Sequence, residues 1–152
     1  MIFVTVGSTD FDALVARMDE LAPQLGDEVV IQVGMGQYAP RNCKHFRFAP
    51  SLDEHYERAE VVVAHGGLGT IVEALERGKR LVCVVNPTTY DRHQENLLRN
   101  FTAQGYLIWC KDLEGLDGAI QQARMAHFNR YQPPECHIHE VIRDYLSHEV
   151  RR

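Results

Sequence analysis

The stretch VVVAHGGLGTIVEALERG, residues 61 to 78, holds the side chains best suited to binding or moving charge. Three valines and an alanine run into His65, Gly66, Gly67, Leu68, Gly69 and Thr70, and a helix-like recurrence of apolar residues follows. Such a short β-branched run reads as a buried parallel strand, and a glycine cluster at its end lets the chain turn tightly. The first amides of the next helix have no intrahelical partners and sit at the positive end of its dipole, which suits an anion, phosphate above all. Glu73, one turn further on, suits the hydroxyls of a sugar diol. The chemistry expected is that of a nucleotide or sugar-phosphate site. A structural reading competes for Glu73: Thr70 and Glu73 have the spacing of a capping box, in which Glu73 merely bonds back to the cap amide. That reading accounts for neither His65 nor the glycines. The turn is neither GxGxxG nor GxxxxGK[ST], which argues against a dinucleotide-binding domain and an ATPase.

Strands and helices must carry these side chains to one place. Dense apolar runs predict strands over residues 2 to 6, 28 to 33, 46 to 49, 81 to 85 and 107 to 110, besides the one starting at Val61. Between them, Phe11, Leu14, Val15, Met18 and Leu21 recur at helical spacing, closed by Pro23 and Gly26. Ser51 and Glu54 match a capping box for a short helix to about Ala59. Further helices are expected from about Arg92 to Gly105 and from Leu113 to about His127. This alternation predicts an α/β fold, a Rossmann-like, mostly parallel sheet with helices on both faces. In such a sheet ligands bind outside the carboxyl ends of the strands. The polar loops at Gly7, Ser8, Thr9 and Asp10, at His65, and at YDRHQEN (residues 90 to 96) all belong at that edge. For the first loop, capping of the next helix by Ser8, Thr9 or Asp10 stands level with ligand contact.

The 152 residues suit one domain, and 45% hydrophobic with 24% charged residues is ordinary for a globular chain. A net charge of −5 without a basic run argues against a nucleic-acid partner. No apolar run approaches the roughly 20 residues that span a bilayer. MIFVTVG lacks a basic n-region and is expected to be a first strand rather than a signal peptide. Cys43, Cys83, Cys110 and Cys136 show no CxxC spacing, so free thiols in a reducing cytoplasm are expected. The segment PECHIH, residues 134 to 139, is a weak metal candidate without a second ligand cluster, and no GxSxG elbow occurs. Pro133 and Pro134 interrupt the pattern, and residues 137 to 150 suggest a last amphipathic helix through Ile138, Val141, Ile142 and Tyr145. The division expected is a domain over 1–130 and a carboxyl-terminal extension over 131–152, packed on the domain or on a partner.

HGGLGTIVEALERGKRL resembles the nucleotide-sugar signature of GT-B glycosyltransferases, HGGxGTxxEALxxGxP followed by an Asp, Glu or His and then Gln, here His93-Gln94. MIFVTVGSTDFDALV resembles the start of a narrower group, the short catalytic subunits of two-subunit glycosyltransferases of dolichol-linked glycan assembly and bacterial exopolysaccharide synthesis. The resemblance covers residues 1 to about 125. It implies the carboxyl-terminal, donor half of a GT-B enzyme. His65 and the amides of Gly66, Gly67, Gly69 and Thr70 would hold the diphosphate, and Glu73 the ribose hydroxyls. His93 and Gln94 would face the donor sugar, and Gly7, Ser8 and Thr9 would close on the phosphates. Arg80 stands where the signature has proline, and the loop from Asn86 to Tyr90 is this chain's own, so sugar specificity does not transfer.

The resemblance further implies inverting transfer of a hexose or N-acetylhexosamine from a UDP-sugar to a polyprenyl-linked glycan, without a cofactor or metal. Its partner would be a membrane-anchored, acceptor-binding subunit that recruits a cytoplasmic chain to the cytoplasmic face of a membrane. Asp91 and His93 are local candidates for the catalytic base, which the partner could equally supply. A self-sufficient nucleotide-sugar epimerase or hydrolase and a non-catalytic nucleotide-sugar-binding module remain as alternatives.

Overall fold

In the computed structural model, residues 1–88 and 93–133 are described, together with 142, 143 and 145. Six parallel strands form one sheet in the order β3-β2-β1-β4-β5-β6, comprising β1 (Ile2–Thr5), β2 (Val29–Gln32), β3 (Lys44–Phe46), β4 (Val61–His65), β5 (Arg80–Val84) and β6 (Ile108–Cys110). The helices are α1 (Asp12–Leu21), α2 (Asp53–Arg58), α3 (Leu68–Glu76), α4 (His93–Ala103) and α5 (Leu116–Met125).

The period-two alternation of each strand splits the core in two. Ile2, Val4, Ile31, Val61, Val63, Val82 and Val84 face one side with α1 and α5. Phe3, Val62, Ala64, Leu81 and Cys83 face the other, where Tyr56 of α2, Ile71 and Ala74 of α3 and Leu98 of α4 cover them. Central strands covered on both faces need near-continuous apolar sequence, which β1 and β4 have. The expected fold class is therefore the observed one.

Several local expectations are corrected. The third strand lies earlier than 46–49, at Lys44–Phe46, because its pairing with β2, Val30 opposite Lys44, sets the register of this exposed edge strand. None of Ser8, Thr9 and Asp10 caps α1: Phe11 is the N-cap residue, without a side-chain bond, and the Thr9 hydroxyl donates to the Val6 carbonyl at 2.8 Å. The Ser51–Glu54 capping box does not form, since Leu52 precedes α2 and the Ser51 hydroxyl accepts instead from the Asp53 amide at 3.0 Å. The helix expected from Leu113 begins as a 3₁₀ turn over Leu113–Gly115, capped by Asp112.

The connection from β2 to β3, residues 33 to 43, contains no helix. Two carboxylates of α1, Asp12 and Asp19, hold it instead. Asp12 accepts from the amides of Gln37 and Tyr38, and buried Asp19 from the amides of Arg41 and Asn42 and the Tyr38 hydroxyl. Seven positions apart, the two carboxylates lie on one face of α1. Asp19 ionises below the usual carboxylate range: burial works to raise its pKa, and the donated hydrogen bonds outweigh burial.

Cys43, Cys83 and Cys110 are free, and Cys136 lies outside the described residues, as does the metal candidate over 134–139. The expected helix over 137–150 also lies there, except that Ile142, Arg143 and Tyr145 are helical and exposed. No helix among the described residues is long and apolar enough to cross a membrane.

Candidate functional site

The strand order reverses between β1, whose chain continues to β2, and β4, whose chain continues to β5. A parallel sheet opens a crevice at such a switch point, at the carboxyl ends of its strands. Thr5 of β1 pairs with Ala64 of β4, so the Gly7 loop and the His65 turn emerge side by side.

Gly7 adopts a left-handed conformation, φ +62°, open to glycine at no steric cost. Its amide donates to the Thr5 hydroxyl at 3.1 Å, and that hydroxyl donates to Gln32 Oε1 at 2.6 Å, inside the sheet. A Cβ on Gly7 would lie 3.1 Å from His65 Cε1 and 3.7 Å from Thr70 Oγ1. The first loop, the histidine and the threonine thus converge. Ser8 is exposed at this edge, whereas the Thr9 hydroxyl is already engaged by Val6.

The glycines of the His65 turn serve a purpose other than the one expected. None of Gly66, Gly67 and Gly69 has a positive φ. Close approach explains two of them: a Cβ on Gly67 would sit 2.4 Å from His65 Nε2, and one on Gly66 would sit 3.3 Å from Gln94 and Leu98. No described residue lies within 4 Å of the corresponding point on Gly69. Helix α3 begins at Leu68, its N-cap Gly67 supplies no side-chain bond, and the first amide bonded back into the helix is that of Ile71, to the Gly67 carbonyl. The amides of Leu68, Gly69 and Thr70 therefore form an uncapped helix N-terminus. The Thr70–Glu73 capping box does not form, because Thr70 lies inside the helix rather than at its cap.

His65 is 7% exposed. Burial lowers its pKa, with the Thr5 backbone acting weakly against that, so the imidazole is neutral at neutral pH. Its Nδ1 is buried without a hydrogen bond of ordinary geometry among the described residues. Gln94, in the first turn of α4, lies against Gly66 with its Oε1 buried and unpartnered among the described residues. With Gly67, Leu68 and Asn96 it lines a cleft of about 470 Å³. His93 opens α4, while Asp91 lies outside the described residues. A larger cavity of about 590 Å³, lined by Arg77, Lys79, Arg80 and Tyr131, lies at the opposite, amino-terminal end of the strands, away from the three converging loops. Among the described residues no group of three or more His, Cys, Asp or Glu side chains is placed to hold a metal.

Glu73 occupies the second turn of α3. Its Oε2 accepts from the Tyr56 hydroxyl at 3.4 Å, and its Oε1 lies 3.5 Å from Arg77 Nη2. Two contributors escape the sequence reading, Tyr56 and Asn86. Asn86, 2% exposed, donates from Nδ2 to the Asp10 carbonyl at 2.7 Å and accepts from the Thr88 amide and hydroxyl, tying the loop after β5 to the loop after β1. An asparagine before a proline at the end of an apolar strand is the signal that marks it as a turn former.

The profile of the glycosyltransferase family 28 C-terminal domain matches residues 1–142. The UDP-N-acetylglucosamine transferase subunit ALG13 of Mus musculus is 37% identical over 121 residues, which is 71% of this chain and 10% of that protein. The chain thus spans about a tenth of the length of this relative. The solution structure of ALG13 superposes with a TM-score of 0.61 at 20% identity, covering 88% of this chain and 90% of that one. The kitacinnamycin glycotransferase superposes with a TM-score of 0.66 at 22% identity, over 82% of this chain and 35% of that one. At these identities the structural likeness speaks for the fold. The profile match, running from the first residue through the Gly7 loop, the His65 turn and α4, shows that the chain belongs to the glycosyltransferase family 28 C-terminal domain family.

Proposed function

We propose that this chain is the donor-binding catalytic subunit of an inverting UDP-sugar glycosyltransferase. The observation that carries the proposal is the uncapped start of α3, where the amides of Leu68, Gly69 and Thr70 precede the first amide bonded back into the helix and lie beside His65 and the Gly7 loop. Three amides at the positive end of a helix bind a diphosphate and stabilise the charge that develops on it as the glycosidic bond breaks. On this reading no metal is needed. The relatives' name favours UDP-N-acetylglucosamine among hexose and N-acetylhexosamine donors.

In the reaction the acceptor hydroxyl attacks the anomeric carbon from the face opposite UDP. The new carbon–oxygen bond forms as the bond to the β-phosphate oxygen breaks, and a base removes the acceptor proton. His93 and Asp91, at the start of α4 and just before it, are this chain's candidates for that base, and Gln94 contacts the sugar. The acceptor is a polyprenyl-linked glycan presented by a membrane-anchored partner subunit at the cytoplasmic face of a membrane. The relatives' description as a transferase subunit supports the need for a partner.

Titration with UDP and then with a panel of UDP-sugars, followed by thermal unfolding, tests the reading. Ligand at about 100 times its Kd stabilises the fold by about 2.7 kcal/mol. The His65→Ala variant is expected to lose most of that shift. Absence of UDP binding by the unaltered chain overturns the proposal, and turnover of a UDP-sugar without a partner replaces it with a self-sufficient enzyme.

A further inference from the structure

Glu73 is held by a set of contacts that a solvated helix carboxylate does not need. Tyr56, on α2, is fully buried, yet its hydroxyl reaches Glu73 Oε2 across the gap between two helices at 3.4 Å. Burial, and then the neighbouring Glu73 charge, push the Tyr56 phenol well above its ordinary value, so it stays protonated and can only act here as the donor. The Arg77 guanidinium lies 5.0 Å from the centre of the Tyr56 ring, pairs with Asp53 Oδ1 at 2.5 Å and reaches Glu73 Oε1 at 3.5 Å. It also donates to the Glu73 carbonyl at 3.3 Å. Each Glu73 oxygen thus has one fixed partner on its own side, while the side chain remains 39% exposed.

A carboxylate offers about four acceptor positions on two oxygens. The Tyr56 hydroxyl takes one position on Oε2 and Arg77 holds Oε1 by charge, so each oxygen keeps an acceptor position for the two adjacent hydroxyl donors of a vicinal diol. We infer that Tyr56 and Arg77 are positioning residues that hold the Glu73 carboxylate for the ribose diol of the nucleotide. This rests on the donor-site reading above and extends it to two residues outside the glycine-rich turn and to a short helix, α2, whose Asp53 anchors Arg77.

The experiment compares UDP with 2′-deoxy-UDP by calorimetry on the full chain and on Glu73→Gln, Tyr56→Phe, Arg77→Gln and Arg77→Lys. The ratio of the two affinities reads the ribose contact and is insensitive to a general loss of stability. Tyr56→Phe keeps the ring that packs on Phe3 at 5.3 Å and removes only the hydroxyl. The unaltered chain is expected to prefer UDP, and Glu73→Gln to abolish the preference. Tyr56→Phe and Arg77→Gln should each reduce it about threefold to tenfold, the range of one typical net hydrogen-bond contribution, with Arg77→Lys restoring part of it. A preference that Glu73→Gln abolishes but Tyr56→Phe and Arg77→Gln leave intact overturns the inference and spares the donor site. UDP binding without a ribose preference, or one that Glu73→Gln leaves unchanged, overturns the role of Glu73 and the inference with it. No UDP binding at all overturns the donor-site reading itself.

Discussion

Glycine at residue scale does two different things in one turn. Gly67 exists to admit the His65 ring, and a methyl group there would have to displace Nε2 from 2.4 Å. Gly69 has no such neighbour and lies within a helix, where alanine is favoured by up to about 1 kcal/mol. Nothing among the described residues requires glycine at 69, and the proposed donor site supplies a reason for it, the close approach of a ligand to the main chain. Gly69→Ala is therefore expected to hold or raise the unfolding free energy while weakening UDP binding at least tenfold. Gly67→Ala is expected to lower both. Urea unfolding paired with UDP titration separates the two cases, and undiminished UDP binding by Gly69→Ala would remove the ligand from that position.

At the scale of elements, the chain replaces a crossover helix between β2 and β3 with a loop pinned by the carboxylates of α1. The same loop reaches the site: a Cβ on Gly34, at φ +55°, would lie 2.4 Å from the Thr9 carbonyl oxygen and 2.8 Å from that of Gly7, and the Met35 amide donates to the Thr9 carbonyl at 3.0 Å. Asp19→Ala leaves the Arg41 and Asn42 amides without their partner and is expected to cost about 2–3 kcal/mol, by loss of hydrogen bonds to a charged group. Because the folded pKa of Asp19 is depressed, its stabilisation is complete above the unfolded carboxylate pKa and is lost as pH falls through the folded one. Acid titration of stability should show a shallower fall for Asp19→Ala than for the unaltered chain between about pH 5 and pH 2. Equal slopes would assign the acid sensitivity to other carboxylates.

At the scale of the whole molecule, both cores and the converging loops lie within residues 1–133. Tyr131, the first residue of the expected extension, packs on the domain, against Phe101 at 5.9 Å and Tyr106 at 5.4 Å between ring centres. Ending the chain after residue 133 should leave UDP binding unchanged. Ending it after residue 130 should cost about 1–3 kcal/mol through the lost ring packing, read as a lower thermal midpoint. Loss of UDP binding on the longer truncation product would show that the tail contributes to the site.

Local chemistry made much of this protein legible in its sequence. Alternating apolar strands and helices determine the parallel sheet and both covered faces, because burial on two sides demands continuous apolar runs. Strand ends followed by polar loops place Gly7, His65 and the start of α4 at one edge, because parallel strands all end there. The caps that Ser8, Thr9, Asp10, Ser51 and Thr70 could form in the sequence are absent from the fold, because a side chain able to cap is equally able to bond to a nearby turn, and only the backbone path chooses. The tight-turn reading of Gly66, Gly67 and Gly69 failed for a related reason: what approaches a glycine is a tertiary matter. The glycine-rich turn is legible in the sequence as a strand-to-helix turn at the carboxyl edge of the sheet, the place where the proposed donor site needs its anion-binding amides. That Tyr56 and Arg77 grip Glu73, that Gln94 lies against Gly66, and that Asn86 ties two loops together depended on contacts between residues 4 to 76 positions apart in the chain, which only the folded chain brings within reach.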